Sequence, residues 1–507
     1  MTIFARYAIR ALLAALAGIS QTAAAQETSL IVGLSHKTDS RALDKLKQDL
    51  SIGSTQSIPG IGSEVWRVPD GKLGEVFRRA QQSDAIESID YTGEDYRSLF
   101  VAVPENMGLT AAQSAAVRAI EANPQLKDVQ VVRVRAGDNA ARLLTQIAGG
   151  SAGEESLLLN LQPGTNLALH RQAIDKAGGK PGNWASKAAK QAFEWMGVTP
   201  TRSEAPATGI PEGAATLVVR GDKILGSVTV GTESYSISPL SGGLHAIARI
   251  DSSAFPPDEP AEPAAAATEE ESDDNDAPIP GSTGSYDLRI AIAYTPAVAQ
   301  MMRTSQIDPE QVASYAIAKS NEGFENSGMK TRFVLAGVRQ VVGAEPGDVA
   351  TLVRALVGNG DGVFDAAHAL RNSTRANAVV LLVAERLYCG RAAGNHAGPA
   401  AMYVAVSYSC IDNFSVAHEI AHLLGARHDP DTDPKDQPFA YGHGYRLPTF
   451  RTIMAYPGGA CGVCPRINRW ADPHKQLNGV PLGTPDRNDD ARMVEEMAPI
   501  YSGYFEP

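Results

Sequence analysis

The sequence predicts an α+β protein whose C-terminal part is α/β-like in its upper layer. Three observations carry that prediction. Over 26–255, short apolar runs separated by glycine turns read as antiparallel strands with a few helices among them. Over 286–385, continuous apolar runs of strand length alternate with segments of helical period. Between the two lies a stretch of proline, alanine and acid with almost no apolar side chain to bury.

The first 25 residues are read as a processing signal. Arg6 and Arg10 precede an apolar run over 11–19, and Ala23, Ala24 and Ala25 stand before Gln26. The run is shorter than the roughly 20 apolar residues that a membrane span needs, so a secreted, extracellular protein with no membrane anchor is expected. From 26 to 255, "SLIVGLS" (29–35), "SEVWRV" (63–68) and "SLFVAV" (98–103) read as strands, and 70–82 and 111–124 as helices. "LLLNLQP" (157–163), "AATLVVRGDKILGSVTVG" (214–231), "ESYSISPL" (233–240) and "HAIARID" (245–251) extend the antiparallel pattern. A break near 150 is possible at "AGGSAGEE" (148–155).

The stretch 256–285 reads as a disordered acidic tether, because such a composition cannot offset the entropy of ordering. It holds nine carboxylates, from Asp258 to Asp276, and no Lys or Arg. Nine of the chain's twelve net negative charges therefore sit there, and the remainder is close to neutral. Nothing suggests an electrostatic footprint for nucleic acid.

Past the tether, "YDLRIAIAYTP" (286–296), "KTRFVLAGVRQVV" (330–342) and "ANAVVLLVAE" (376–385) are expected as strands, and "AMYVAVS" (401–407) as an edge strand. An amphipathic helix is expected over 309–328, ending at Gly328, with shorter helices over 347–356 and 363–373. The loop at Asp361 lacks the spaced acids of a calcium site. All four cysteines lie in this part. In an oxidising compartment they form two disulfides, with Cys389–Cys410 and Cys461–Cys464 favoured and the other pairings open.

The chain then reaches "HEIAHLLGARHD" (418–429), where three of its ten histidines fall within eleven residues. On a helix, His418 and His422 project from one face a turn apart, with Glu419 about 100° round. Asp412, Asn413 and Ser415 are candidate N-caps, and Gly425 permits a sharp exit that swings His428 back as a third ligand. Three histidines leave an open position on zinc for water, the mark of a catalytic site, and Glu419 is placed to act as general base.

H-E-x-x-H-x-x-G-x-x-H resembles the signature of the metzincins, zinc endopeptidases with a methionine turn downstream, here "RTIMAYPGGACG" (451–462) with Met454. Asp429, directly after the third histidine, resembles the reprolysin (adamalysin, ADAM) branch, in which that aspartate anchors the site internally. "DLRIAIAYTP", "DGVFDAAHALR", "YGHGYR" and "RINRWADP" look like its secreted bacterial members. The resemblance implies a preproprotein: signal peptide 1–25, propeptide 26–255, linker 256–285 and zinc metallopeptidase domain 286–507. It implies a mixed sheet, an active-site helix and a lower subdomain with a C-terminal helix around 490–498. One catalytic Zn2+ and protein or peptide substrates are implied, with the propeptide as intramolecular inhibitor. Tyr456 is expected to pack rather than bind metal, His443 to be structural, and His245 to face solvent. With no cysteine before Cys389, latency needs another ligand, such as a carboxylate or His245. An inactive adhesion or binding protein of the same fold is the alternative, which the presence of Glu419 disfavours. A closed structural zinc site would need a fourth ligand that the sequence does not offer.

Overall fold

The structure, a computed structural model, describes most of 27–258, where the longest stretches outside the description are 135–155, 172–192 and 199–212. It also describes 286–505 except 346 and 478. The expected signal peptide, most of the tether (259–285), the break near 150 and nearly all of the helix expected over 70–82 lie outside the described residues.

The chain divides into two compact units, 1–98 and 99–507. The first contains β1 (Glu27–Leu34), α1 (Ser40–Asp49), β2 (Ser54–Ile58), β3 (Ser63–Pro69) and β4 (Ile86–Tyr91). The strands form an antiparallel sheet in the order β2-β3-β1-β4, over a core of Val32, Leu43, Leu50, Trp66 and Val68.

The second unit begins with β5 (Phe100–Ala102), α2 (Ala111–Glu121), β6 (Leu126–Val134), β7 (Ser156–Gln162), β8 (Thr165–Arg171) and β9 (Phe193–Val198). β10 (Gly213–Arg220), β11 (Lys223–Val230), β12 (Glu233–Pro239) and β13 (Leu244–Ile250) follow. Together these nine strands make one antiparallel sheet, β5-β6-β13-β12-β11-β10-β9-β8-β7. A capping box between Thr110 and Gln113 fixes the start of α2.

From 286 the chain alternates strand and helix. β14 (Tyr286–Tyr294), α3 (Pro296–Thr304), α4 (Pro309–Asn326), β15 (Thr331–Gln340), α5 (Val349–Val357), α6 (Asp365–Thr374) and β16 (Ala378–Val383) come first. β17 (Gly390–Ala392), β18 (Tyr403–Ser407), α7 (Ser415–Leu424), β19 (Asp472–Leu477), β20 (Val480–Leu482) and α8 (Asp490–Ser502) complete it. The sheet order is β15-β14-β16-β18-β17, parallel except for β17. Alternate residues of β14 and β16 feed two cores. Ile290, Ile292, Val380 and Leu382 face α4 and α7, while Ala291, Ala293, Val379 and Leu381 face α5 and α6.

Three local expectations are corrected, and one helix is added. "AMYVAVS" is not an edge strand: β18 is covered by β17, whose three residues carry no strand signal of their own. The helix over 309–328 is not half-exposed, since every residue from Gln311 to Phe324 is buried. Its polar face lies under β10 and β11, where Gln311 Nε2 donates to the carbonyls of Val218 and Lys223, both at 3.0 Å. Helix α3 was not among the expected elements; Thr295 caps it, with Pro296 at the first position. Finally, none of Asp412, Asn413 and Ser415 caps α7. Phe414 takes that place at φ 63°, while Asp412 accepts from the Tyr315 hydroxyl.

Candidate metal centre

Helix α7 enters from a 3-10 turn, Tyr408–Asn413, and leaves at Gly425, whose φ of 117° a side chain would strain. A Cβ there would also come within 2.8 Å of the Phe439 ring. The turn brings His428 back to His418 and His422, and all three are buried. Their Nε2 atoms converge: 3.2 Å between His418 and His422, 3.2 Å between His418 and His428, and 2.9 Å between His422 and His428.

The backbone fixes the tautomers. His418 Nδ1 lies 2.9 Å from the Ile453 carbonyl, and His422 Nδ1 lies 2.8 Å from that of Ala426. A carbonyl can only accept, so each Nδ1 carries the proton and each Nε2 presents a lone pair. Burial holds the imidazoles neutral, taking His418 down to about 3, His422 to about 4 and His428 well below its ordinary value. Two buried lone pairs facing each other at 3.2 Å repel unless a cation lies between them. The donor set therefore fits a metal ion of imidazole preference.

The surroundings hold this cluster rigidly. His443 Nδ1 donates to the His428 carbonyl at 2.7 Å, so the histidine of "YGHGYR" braces the third candidate ligand. Tyr456 lays its ring on His428, with centroids 3.9 Å apart, in the packing role expected of it. Asp429 accepts from the Tyr456 backbone N–H and from the Thr432 hydroxyl, both at 3.0 Å, and pairs with Arg446 at 3.2 Å. Met454 is fully buried. The disulfides are Cys389–Cys410 and Cys461–Cys464, the favoured pairing; the first ties the chain just before β17 to the turn entering α7.

Sequence reasoning missed four residues here. Gly390 lies so close to Glu419 that a Cβ would stand 2.7 Å from both Cγ and Oε1. Gly444 approaches the Met454 segment, and its Cβ would meet Ala455 N at 2.5 Å and Met454 Cβ at 2.9 Å. A glycine inside an apolar run or a short motif is the only available signal for either. Arg466 is buried, donates to the Asn413 carbonyl at 3.1 Å, and pairs with Asp258. Asp258 is the fourth. Read from composition it belongs to a solvated acidic run, yet it is 4% exposed, with a carboxylate oxygen 4.0 Å from His418 Nε2. Burial alone would raise its carboxyl, but the Arg466 guanidinium beside it holds it below the usual carboxylate range. His245 is neither solvent-facing nor at the site. It is fully buried in the nine-stranded sheet, its Nε2 accepting from the Ile224 N–H at 2.9 Å.

Residues 285–470 match Reprolysin_5 of metallo-peptidase family M12. A peptidyl-Asp metalloendopeptidase of Xanthomonas campestris pv. campestris is 30% identical over 402 residues, covering 78% of this chain and 89% of that protein. One of the same name from Stenotrophomonas maltophilia is 34% identical over 300 residues, covering 56% and 69%. Metalloproteinase-II from Bacteroides fragilis, a solved structure, aligns over 57% of this chain and 86% of its own at 11% identity. Its TM-score of 0.30 is too low to bear on the fold.

Proposed function

The chain belongs to the metzincin-type metalloendopeptidases of family M12, and from that premise we propose that His418, His422 and His428 hold a catalytic zinc and Glu419 is the general base. The observation that carries this is the convergence of three neutral Nε2 atoms within 3.2 Å, next to the carboxylate of the following helical residue. Zinc, when bound, supplies Lewis acidity that makes water a better nucleophile and polarises the scissile carbonyl. Glu419 takes the proton from the attacking water and delivers it to the leaving amine, from a position set by the close approach of Gly390. The Ile453 and Ala426 carbonyls keep both helix imidazoles in the ligating tautomer. Asp429 fastens the segment after Met454 to the third histidine, which is the part a methionine turn plays. An inactive binding protein finds no support.

The relatives' name favours aspartate at the cut, and we carry that preference to this chain with Arg466 as the residue that reads it. Its guanidinium is buried and already holds a carboxylate beside His418. We also propose export as a zymogen, with 1–25 removed and 26–255 acting as an intramolecular inhibitor. Paired cysteines suit an oxidising compartment. The cover of β10 and β11 over α4, with Arg220 3.3 Å from Glu310, suits an inhibitor that docks on the enzyme.

The test separates metal from chemistry. Glu419→Gln should keep one zinc per chain and lose hydrolysis, whereas His418→Ala, His422→Ala or His428→Ala should lose both. Substantial turnover by Glu419→Gln, or full zinc occupancy after loss of any of the histidines, would overturn the assignment.

A further inference from the structure

Three arginines stand on neighbouring rungs downstream of the histidine cluster. Arg446 and Arg451 are bridge partners in antiparallel segments, and Arg451 and Arg466 in parallel ones. Each guanidinium meets different company. Arg446 pairs with Asp429 at 3.2 Å and with Asp431 at 2.7 Å. Arg466 pairs with Asp258. Arg451 has no carboxylate of its own among the described residues: Nη1 donates to the Ala455 carbonyl at 2.7 Å and Nε to that of Cys464 at 3.4 Å. It is 6% exposed, so its charge is desolvated without being neutralised.

One carboxylate therefore serves two cations. Burial, then the Arg466 charge, push the Arg451 guanidinium down to about 9, and Asp258 works the other way, so the three groups lie in one another's field. The contact itself is incomplete. Asp258 Oδ2 accepts from Arg466 Nη2, while Arg466 Nε and Asp258 Oδ1 are both buried with no hydrogen-bond partner among the described residues. A guanidinium and a carboxylate that align freely make two parallel bonds. Asp258 makes one, on a backbone held at its neighbour, where the Pro257 carbonyl accepts from Cys389 N at 2.9 Å. A carboxylate arriving from outside is under no such restraint and can turn to engage Nε and Nη2 together.

We propose that Arg451 and Arg466 form a two-cation pocket for an acidic side chain of the substrate, in which Arg466 makes the contact and Arg451 supplies a second charge that selects a carboxylate over its neutral amide. The inference rests on the reading of Arg466 as the residue that meets the substrate's aspartate, and on the departure of Asp258 once the chain is cut within 259–285. The enzyme then keeps both cations and loses the carboxylate they share, since Asp429 already serves Arg446. Two like charges in a dry site raise each other's free energy, and an anion relieves both. Asparagine matches aspartate in shape but brings no charge, so it leaves that repulsion in place. Arg451 acts without touching the substrate, which makes it a specificity-determining residue and not a catalytic one.

The test is the ratio of kcat/KM for two quenched peptides that differ only by aspartate or asparagine at the cut, on chains folded at full length and then processed. Arg451→Met removes the charge, whereas Arg451→Lys keeps it and loses the fork to Ala455 and Cys464. Arg451→Met should lower the aspartate-to-asparagine ratio about 10-fold, the scale of a charge that makes no contact, and Arg451→Lys should hold it within about 2-fold of wild type. Sulfate at constant ionic strength should inhibit the wild-type enzyme competitively, and about 10-fold more weakly after Arg451→Met. Equal loss on both peptides in Arg451→Met, or the same fall in ratio in Arg451→Lys, would mark a purely structural arginine and overturn the proposal. Should Arg451→Met fail to fold, the wild-type enzyme still decides, because insensitivity to sulfate would overturn the proposal by itself. If Arg466→Gln lowers the ratio and Arg451→Met does not, this proposal alone falls. If neither lowers it, the reading of Arg466 falls as well.

Discussion

Gly390→Ala tests whether the edge strand sets the position of Glu419, the proposed general base. A Cβ at 390 would stand 2.7 Å from Glu419 Cγ, against an ordinary carbon–carbon contact of about 3.5 Å, so the side chain must retreat by roughly 0.8 Å. The strain falls at Cγ, close to the helix, and a change of the outer torsions alone cannot relieve it. A displacement near 1 Å in a catalytic group costs about 10²-fold in rate, equivalent to about 2.7 kcal/mol of transition-state stabilisation. The three histidines hang from other contacts, to the Ile453 and Ala426 carbonyls and around Gly425, so metal content should be unaffected. The assay is hydrolysis of a quenched fluorescent peptide containing aspartate by processed enzyme, with zinc content and melting temperature measured on the same material. The expected result is kcat lowered about 10²-fold, KM nearly unchanged and zinc retained. Wild-type kcat would refute the idea that Gly390 is needed for the position of Glu419, and parallel loss of zinc would show that the damage is general.

Gly444→Ala meets backbone rather than a movable side chain, at Ala455 N and Met454 C, so it should destabilise the metallopeptidase part by about 1–3 kcal/mol, read as a lower melting temperature. An unchanged melting temperature would mean that the crossing is looser than 2.5 Å implies. Reducing Cys389–Cys410, 21 residues apart, should remove about 3 kcal/mol and loosen the turn that enters α7, so peptide hydrolysis should fall before global unfolding. Simultaneous loss of structure and activity would contradict that order. Arg466→Gln in processed enzyme should lower kcat/KM for aspartyl peptides relative to asparaginyl ones by about 10²-fold, the scale of one buried charge pair; equal loss on both would remove Arg466 from specificity. Between Arg249 and Arg289 the sequence has no basic residue, so trypsin should not release the enzyme by cutting there, and full-length Glu419→Gln should persist in isolation. Unaided processing of that variant would point to a different route of maturation.

The sequence alone determined whatever depends on local spacing. A fixed interval on a helix dictates that His418 and His422 share a face, a glycine dictates where the helix can end, and apolar alternation marks β14, β15 and β16. The candidate site was legible because its three histidines sit within one helix and the turn after it. Contacts made between distant segments were not legible. The three residues of β17 have no periodicity to detect, and its effect on Glu419 exists only once β18 lies beside it. The polar face of α4 reads as a solvent face because nothing local records that β10 will cover it. Asp258 is the sharpest case. Composition assigns it to water with its eight acidic neighbours, whereas tertiary structure supplies one buried guanidinium, 208 residues away in sequence, and buries it beside His418. Whether an aspartate is solvated or buried depends on the charge that waits for it, and only the folded chain decides which charge that is.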